Sequence, residues 1–160
     1  MTDSSSGDSV RGTVTVQTSP ERAWEAFTAG FAGWWPREYT WAGGVLEDIG
    51  IEPREGGLCS ERGPHGFRCD WGRVLAWDPP RRLVLAWQIG PTRAPVPDPA
   101  KASEVEVRFV PAGPETTRVE LEHRHFARHG DDADAYRAGM GSPQGWTWIL
   151  ERYAARAASG

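Results

Sequence analysis

His123 is the residue in this sequence best suited to general acid and base chemistry. It lies at two-residue spacing from Val119 and Leu121, so on an extended strand it shares their inward face. Partial burial would tune its imidazole for proton transfer near neutral pH. Asp70 and Glu52 could orient it or act as acids, although no motif ties either carboxylate to it. A histidine that only hydrogen-bonds to its surroundings is the simpler interpretation, so the catalytic residue, if there is one, stays unknown.

A second histidine, His125, would point the same way on an extended strand, and two imidazoles at this spacing can ligate zinc as a pair. A third ligand would have to come from His129 or His65, which loops separate from the pair. No other cysteine or histidine spacing supports a metal site. The sequence also has no G-x-S-x-G elbow, phosphate-binding loop or dinucleotide fingerprint. We therefore predict neither a metal nor a cofactor.

Nine tryptophans among 160 residues indicate a different chemistry, in which aromatic walls bind an apolar molecule. Such rings more often fill a core or line a pocket than face water. Arg54 or His123 could fix a polar end of the ligand, because a guanidinium offers a fork of donors. Arg54 could equally stabilise a bulge at Gly56 and Gly57. The predicted ligand contacts are Trp24, Arg54, Trp77, Trp87, Phe109, His123 and Trp146.

The composition limits the partners and the compartment. A formal net charge of -4 without a basic block argues against nucleic-acid binding. No apolar run is long enough for a membrane span and the polar start is unlike a secretory signal, so we expect a cytoplasmic protein. Residues 1–8 are predicted to be a disordered tail and residues 9–158 a single domain. Cys59 and Cys69 are expected to be free thiols on facing strands, in a register that the sequence does not define.

The segment from Trp71 to Trp87 gives the clearest signal of fold. Asp78-Pro79-Pro80 cannot continue a strand, because proline lacks a ladder donor, so two apolar strands must turn there. On the outgoing strand Leu83 and Leu85 share one face with the last tryptophan, and positions 84 and 86 on the other face are also apolar. This pattern favours a strand that is covered on both sides.

The other elements follow from periodicity and punctuation. Ser19 is a predicted N-cap and Pro20 the first residue of a helix, with Trp24, Phe27 and Phe31 on its apolar stripe. A second short helix or turn should follow and end at Pro36. The remaining predictions are strands at 10–17, 45–52, 58–62, 104–109 and 118–125, a turn at 63–66, a proline-rich loop at 90–102, and a long helix opened by Ser142 and Pro143. In the strand at 104–109, Val105, Val107 and Phe109 share one apolar face. The apolar face of the long helix carries Trp146, Ile149, Leu150, Tyr153, Ala154 and Ala157.

This order of elements predicts an α+β fold in which a curved antiparallel sheet wraps around a long C-terminal helix, with two short helices after the first strand. A gap between the sheet and the helix would hold a ligand. The alternative is that the tryptophan rings fill this space themselves.

Several motifs extend this interpretation over nearly the whole chain. They are Glu52-Pro53-Arg54-Glu55-Gly56-Gly57, Trp71-Gly72-Arg73-Val74, Trp77-Asp78-Pro79-Pro80-Arg81-Arg82-Leu83, Glu104-Val105 to Phe109, Leu121-Glu122-His123 and Gly145-Trp146. Together they resemble the family of homologues of the activator of the heat shock protein 90 ATPase, within the START-like (SRPBCC) helix-grip superfamily. The resemblance implies a six- or seven-stranded sheet around the last helix and an apolar cavity, and it implies no shared catalytic motif.

Three functions are compatible with these observations. The first is binding of a small hydrophobic molecule in an aromatic-lined cavity. The second is an enzyme of the cyclase, dehydratase or hydrolase type that acts on an apolar carbonyl compound. The third is stimulation of a chaperone ATPase, with this protein as the partner of the chaperone. The expected partners also include a second copy of this chain, in a homodimer. A protein partner would need an exposed aromatic patch, for which the candidates are Trp34, Trp35, Trp41 and Trp148.

Overall fold

The computed structural model describes residues 9–36, 39–90, 96, 98–130 and 132–159. The tail expected at residues 1–8 and parts of the proline-rich loop lie outside these ranges. The strands are β1 (Ser9–Val16), β2 (Asp48–Ile51), β3 (Leu58–Arg62), β4 (Arg68–Asp78), β5 (Arg82–Trp87), β6 (Ser103–Gly113) and β7 (Thr116–Arg124). The α-helices are α1 (Pro20–Phe27), α2 (Ala133–Met140) and α3 (Trp146–Ser159), and 3-10 turns occur at Phe31–Gly33, Gly43–Val45, Pro64–Gly66, Pro99–Lys101 and Phe126–His129.

The seven strands form one antiparallel sheet in the order β1-β7-β6-β5-β4-β3-β2. The sheet curls into a half-barrel, and α3 packs across β1 and α1. The predicted α+β helix-grip fold is confirmed. Among the described residues, no helix has the length and apolar character that a membrane crossing requires.

The hairpin of β4 and β5 lies at the centre of the sheet and turns at the two prolines, as predicted. Trp77 pairs with Leu83 next to the turn. On β5 both faces are buried, because Leu83 and Leu85 point into the core while Val84 and Ala86 are covered on the outer side. A strand covered on both sides explains the continuous apolar run in the sequence.

Helix α1 begins at its predicted cap. Ser19 Oγ accepts the backbone N–H of Arg22 at 3.3 Å, and Pro20 is the first helical residue. The helix ends sooner than the apolar stripe suggests, because the backbone N–H and the hydroxyl of Thr28 both donate to the carbonyl of Trp24. Phe31 therefore lies in the following 3-10 turn, although it remains in the core.

The long C-terminal helix begins three residues later than predicted, at Trp146. Ser142 is not its N-cap, because its hydroxyl donates to the carbonyl of Gly139 at 2.6 Å and closes the preceding helix. That preceding helix, α2, was not predicted. Gly145 joins the two helices at very close range, since a Cβ there would lie 2.2 Å from the carbonyl oxygen of Met140. The turn between α2 and α3 therefore needs glycine.

The predicted inner face of α3 is confirmed. Its buried residues include Trp146, Ile149, Leu150, Tyr153 and Ala157. The hydroxyl of Tyr153 donates to the carbonyl of Ala23 at 2.8 Å, which ties this helix to α1. These contacts pack α3 against α1 and β1.

The strand predicted at 45–52 is shorter in the structure. Val45 lies in a 3-10 turn and its side chain is 61% exposed, and the ladder begins only at Asp48. The backbone N–H groups of Val45 and Leu46 donate to the carbonyls of Ala42 and Gly43 in this turn. Glu61 of β3 holds the residues just before it, because its carboxylate accepts the backbone N–H groups of Trp41 and Ala42 at 3.1 and 2.9 Å. These contacts fold the chain before β2 into a turn that period-two analysis does not detect.

The register of β3 and β4 separates the two cysteines. Cys59 lies opposite Gly72, and Cys69 lies opposite Glu61, so the thiols are diagonal neighbours, and both are free. Burial raises the pKa of the Cys59 thiol far above its usual value, with Glu52 and Asp70 adding to the effect.

The outer face of the sheet carries a compact ion cluster around Glu106. Arg82 and Arg108 each donate from Nε at 2.7 Å, and Arg124 bonds to the second carboxylate oxygen. Burial alone would raise the pKa of Glu106, but hydrogen bonds from Arg124, Arg82 and Arg108 lower it to about 2. These ion pairs link β5, β6 and β7.

Candidate ligand-binding cavity

A cavity of about 370 Å³ lies between the C-terminal end of β5, α2, the start of α3 and the segment at residues 39–41. Its aromatic walls are Trp35, Tyr39, Trp41, Trp87 and Tyr136. Thr40, Ile89, Gly90, Gly139, Met140, Ser142, Gln144, Gly145 and Ile149 complete the lining. None of these described lining residues carries a charged side chain, so the cavity is suited to an uncharged ligand.

Trp87 and Tyr136 are held in place by a pair of hydrogen bonds. The indole Nε1–H of Trp87 donates to the Tyr136 hydroxyl at 2.9 Å, and that hydroxyl donates to the carbonyl of Ile89 at 2.8 Å. Trp87 is at the end of the central strand and Tyr136 is on α2. The two bonds therefore fix the orientation of both rings and attach α2 to the sheet.

The opposite side of the cavity is formed by the chain that crosses above β2 and β3. Glu61 holds the backbone at Trp41, as described above, and the Tyr39 hydroxyl donates to the carbonyl of Gln144 at 2.8 Å. The ring of Tyr39 also packs edge-on against Trp148, with 5.5 Å between centroids. This side is thus joined directly to the start of α3.

A layer of tryptophans lies behind the cavity. Trp146 meets Trp87 and Trp35 edge-on, with ring centroids 5.4 and 6.2 Å away. Trp71 stacks parallel to Trp35 at 6.4 Å. The rings therefore fill part of the half-barrel, and the cavity remains next to the C-terminal end of β5. The structure thus has both a space filled by tryptophan rings and an open gap, the two arrangements that the sequence left open.

His123 faces inward, as its spacing predicts, and it is completely buried. Its Nδ1 accepts the indole N–H of Trp146 at 3.0 Å, and its Nε2 lies 2.7 Å from the hydroxyl of Ser103. Burial lowers the pKa of His123 well below its usual value, and the neighbouring His129 adds to the effect. Both ring nitrogens are engaged, and His123 does not line the cavity. The geometry does not present it to a substrate as a base.

The carboxylates considered as its partners lie elsewhere. Asp70 is exposed and accepts hydrogen bonds from Ser60 and Arg68, and these hydrogen bonds lower its pKa. Glu52 accepts the backbone N–H of Leu58 at 2.6 Å at the sheet margin. Neither bonds to the buried imidazole.

The structure separates the predicted ligand contacts into three groups. Trp87 lines the cavity, with Trp146 and His123 immediately behind it. The second group, Trp24, Trp77 and Phe109, forms an edge-to-face cluster within 5.3 Å of Trp24, packed under α1. Arg54 stands apart, because its side chain is 65% exposed and pairs with Glu52 at 3.6 Å. The sequence pattern brought the residues inward but could not divide them between cavity and core.

The histidine pair considered for zinc does not form. Strand β7 ends at Arg124, and His125 adopts a left-handed conformation with φ of 65° and an exposed side chain. Within the described part of the chain, no three histidine, cysteine or acidic residues converge as metal ligands.

Sequence reasoning missed several cavity residues, including Tyr39, Thr40, Tyr136, Met140 and Gln144. Tyr136 and Met140 lie four residues apart on α2, the helix that was not predicted. The aspartates at its start were the available signal, because acidic residues favour a helix N-terminus.

The four tryptophans proposed for a protein partner do not form an exposed patch in the described part of the chain. Trp34 and Trp35 are buried, and Trp41 and Trp148 are half-buried. Trp34 donates its indole N–H to the carbonyl of Ala26, and Arg152 stacks over the ring of Trp148 at 5.2 Å.

Comparison with known proteins agrees with the fold. The sequence model of the family described as activator of Hsp90 ATPase homolog 1-like protein matches residues 17–156. The chain belongs to the activator of Hsp90 ATPase homologue 1-like family. A comparison with curated protein sequences gave no match.

Two solved structures share substantial sequence identity with the chain. One is the anthrahydroquino-gamma-pyrone synthase Txn09, with 39% identity over 93% of this chain and 96% of the other, and a TM-score of 0.66. The other is the self-sacrificing resistance protein CalC from Micromonospora echinospora, with 30% identity over 95% of each chain and a TM-score of 0.64. The Aha1 dimer from Colwellia psychrerythraea shares only the fold, with 16% identity over 94% of this chain and 96% of that one and a TM-score of 0.61. The helix-grip fold and its buried aromatics are compatible with small-molecule binding.

Proposed function

We propose that this protein binds an uncharged, flat and largely apolar small molecule in the cavity between α2 and the C-terminal end of β5. The observation that carries the proposal is the lining of the cavity. Its described residues include five aromatic side chains, and none of them carries a charge. Aromatic walls favour planar ligands, and a charged ligand would lose its hydration without gaining a partner.

The size of the cavity supports a compact ligand. About 370 Å³ lies near the lower end of the range that small-molecule pockets span, roughly 300–1,000 Å³. The polar groups on its walls are hydroxyls, amides and backbone atoms, which can orient a neutral ligand through a few hydrogen bonds. The 39% identity to Txn09, whose name describes a synthase of a fused-ring product, favours a polycyclic aromatic compound.

The same identity supports a second candidate, an enzyme of the cyclase type that acts on such a compound. His123 would not be its base, because both ring nitrogens are engaged behind the wall. The cavity would contribute by holding a flexible substrate in the reactive shape. A chaperone-activating role has weaker support, because the aromatic residues that would form its surface are buried or half-buried.

Two probes of the same ring system test the binding proposal. We expect neutral 9-anthracenemethanol to quench or shift the tryptophan fluorescence in a saturable way, and anionic 9-anthracenecarboxylate to bind at least about tenfold more weakly. Trp87→Ala should lose most of the affinity. Trp77→Ala is the matched control, because its ring packs against Trp24 away from the cavity, and it should keep the wild-type affinity. Equal affinity for the two probes, or equal losses in the two variants, would contradict the proposal.

The cyclase candidate is tested separately, by incubating the protein with a linear poly-β-ketone substrate and following the appearance of cyclised product by mass spectrometry. Turnover that His123→Gln abolishes at unchanged probe affinity would contradict the passive role assigned here to this histidine.

A further inference from the structure

One buried serine joins two histidines directly behind the cavity wall. Ser103 Oγ lies 2.7 Å from His123 Nε2 and 2.8 Å from His129 Nε2. The backbone nitrogen of Ser103 also lies 3.3 Å from His129 Nε2. On the far side, His123 Nδ1 is 3.0 Å from the indole nitrogen of Trp146. Ser103 and His123 are completely buried, and His129 is half-buried at the surface end.

The donors at both ends assign every proton in this chain of hydrogen bonds. An indole nitrogen can only donate, so His123 Nδ1 carries no proton, and the proton of the neutral ring must be on Nε2, where it is donated to Ser103. A backbone nitrogen can also only donate, so His129 Nε2 carries no proton and can accept the Ser103 hydroxyl as well. The hydrogen bonds therefore run in one direction, from Trp146 through His123 and Ser103 to His129.

Both ends of the chain are in contact with rings of the cavity wall. Trp146 packs edge-on against Trp87 and Trp35, as described above. At the other end, the ring of His129 lies 5.0 Å from that of Tyr136 on α2. The chain thus connects the start of α3, the centre of the sheet and α2 behind one wall.

We propose that Ser103, His123 and His129 are positioning residues of the ligand cavity, and that their hydrogen bonds hold the aromatic wall in its binding geometry only while the half-buried imidazole of His129 is neutral. This inference rests on the proposed binding function.

Neutrality of His129 matters because a proton added to its Nε2 would face the backbone N–H of Ser103, which can only donate. The Ser103 hydroxyl could accept this proton on its second lone pair, but it would then give up the hydrogen bond that it donates to His129. Protonation of His129 therefore opposes two donors and removes the hydrogen bonds that end on its ring. His123 stays neutral, because it is completely buried and burial lowers its pKa well below the usual value. Burial lowers the pKa of His129, so its neutral form is the favoured one in the folded protein.

Among the residues that the structure describes, the ionisable groups identified around His129 do not offset such a charge. His123 and Tyr136 face it from β7 and α2. Arg128 of the same turn donates to Glu104 of β6 at 3.2 Å, so that carboxylate already has a cation. Lys101, in the neighbouring 3-10 turn, is a second positive charge on this side.

The test is a titration of the full chain with 9-anthracenemethanol, a neutral probe without a titrating group, between about pH 8 and about pH 5. We expect the wild-type affinity to be constant at the upper end and to fall at least about fivefold below the usual imidazole pKa. His129→Gln should bind within about twofold of wild type at pH 8 and show no fall, because the amide oxygen can accept both bonds and does not titrate. His129→Leu should bind weakly at every pH. His125→Gln is the control, because the His125 side chain is exposed and is not part of the chain of hydrogen bonds. This variant should keep the wild-type pH profile.

A wild-type affinity that does not depend on pH, or a fall that persists in His129→Gln, would overturn the inference while leaving the binding function intact. If wild type does not bind the probe at pH 8, the binding function fails instead. The chain of hydrogen bonds is then tested on the free protein by ¹⁵N NMR, which distinguishes imidazole tautomers. The proton is expected on Nε2 of His123 and on Nδ1 of His129, and the Trp87 indole N–H resonance is expected to shift with pH in wild type but not in His129→Gln. The opposite tautomer in either ring, or an unshifted Trp87 resonance, would overturn the positioning role.

Discussion

The indole nitrogen of Trp87 lies 2.9 Å from the hydroxyl oxygen of Tyr136, so two walls of the cavity are joined to each other by a hydrogen bond. One wall belongs to the central strand β5 and the other to α2, and the two residues are 49 positions apart in the chain. The shape of the cavity therefore depends on a contact between elements that are remote in sequence.

Tyr136→Phe should destabilise the protein and weaken probe binding together. The change leaves the nearly buried N–H of Trp87 without its acceptor, which costs about 1–3 kcal/mol in the free energy of unfolding. Urea unfolding followed by tryptophan fluorescence measures the cost. Tyr39→Phe is the comparison, because it removes a bond that is more exposed, and its cost should be smaller. A larger loss in Tyr39→Phe would contradict this assignment of the wall.

Glu61→Gln should loosen the chain at Trp41 without unfolding the sheet. The carboxylate accepts two backbone N–H groups, one on each oxygen, whereas the amide of glutamine offers only one acceptor oxygen. We expect faster hydrogen exchange at the amides of Trp41 and Ala42, with unchanged exchange in β6 and β7. Unchanged protection at both amides would show that the carboxylate does not hold this segment.

Gly145→Ala and Gly139→Ala should have effects of opposite sign. A Cβ at position 145 would lie 2.2 Å from the carbonyl oxygen of Met140, so the turn between α2 and α3 must shift, at a cost of about 1–3 kcal/mol or more. A Cβ at position 139 meets nothing within 4 Å, and alanine within a helix gains roughly 0.5–1 kcal/mol over glycine. Thermal unfolding of the two variants measures both effects. A Gly145→Ala protein as stable as wild type would show that this close approach is not needed.

Glu106→Gln should flatten the acid end of the stability profile. The folded pKa of about 2 lies below the ordinary value of 4.5, so the ionised carboxylate stabilises the protein above pH 4.5, and this contribution is lost as the pH falls toward 2. The difference in unfolding free energy between wild type and Glu106→Gln should therefore be largest at neutral pH and shrink through this window. Glu25→Gln, on the exposed side of α1, is the control and should leave the profile unchanged. A constant difference across the window would rule out the titration of Glu106 as its cause.

The sequence alone predicted the class of fold, most of the strands and the main helix. The double proline required a turn, the apolar run of β5 favoured a strand covered on both sides, and the period-two pattern of β6 and β7 placed Val105 and His123 inward. The stripe on α3 predicted its buried face. These inferences succeed because backbone chemistry and side-chain period act locally, within a few residues of each other.

The cavity was decided by the tertiary structure. Its walls come from α2, from the end of β5 and from residues 39–41, and none of these segments forms a site without the others. The same holds for His123. Its spacing predicted an inward side chain, but the bonds to Ser103 and Trp146, which are 20 and 23 positions away, make it a buried structural link rather than an accessible base. Long-range contacts determine which inward residues meet a ligand, because the sequence period defines only the face of an element and not what packs against it.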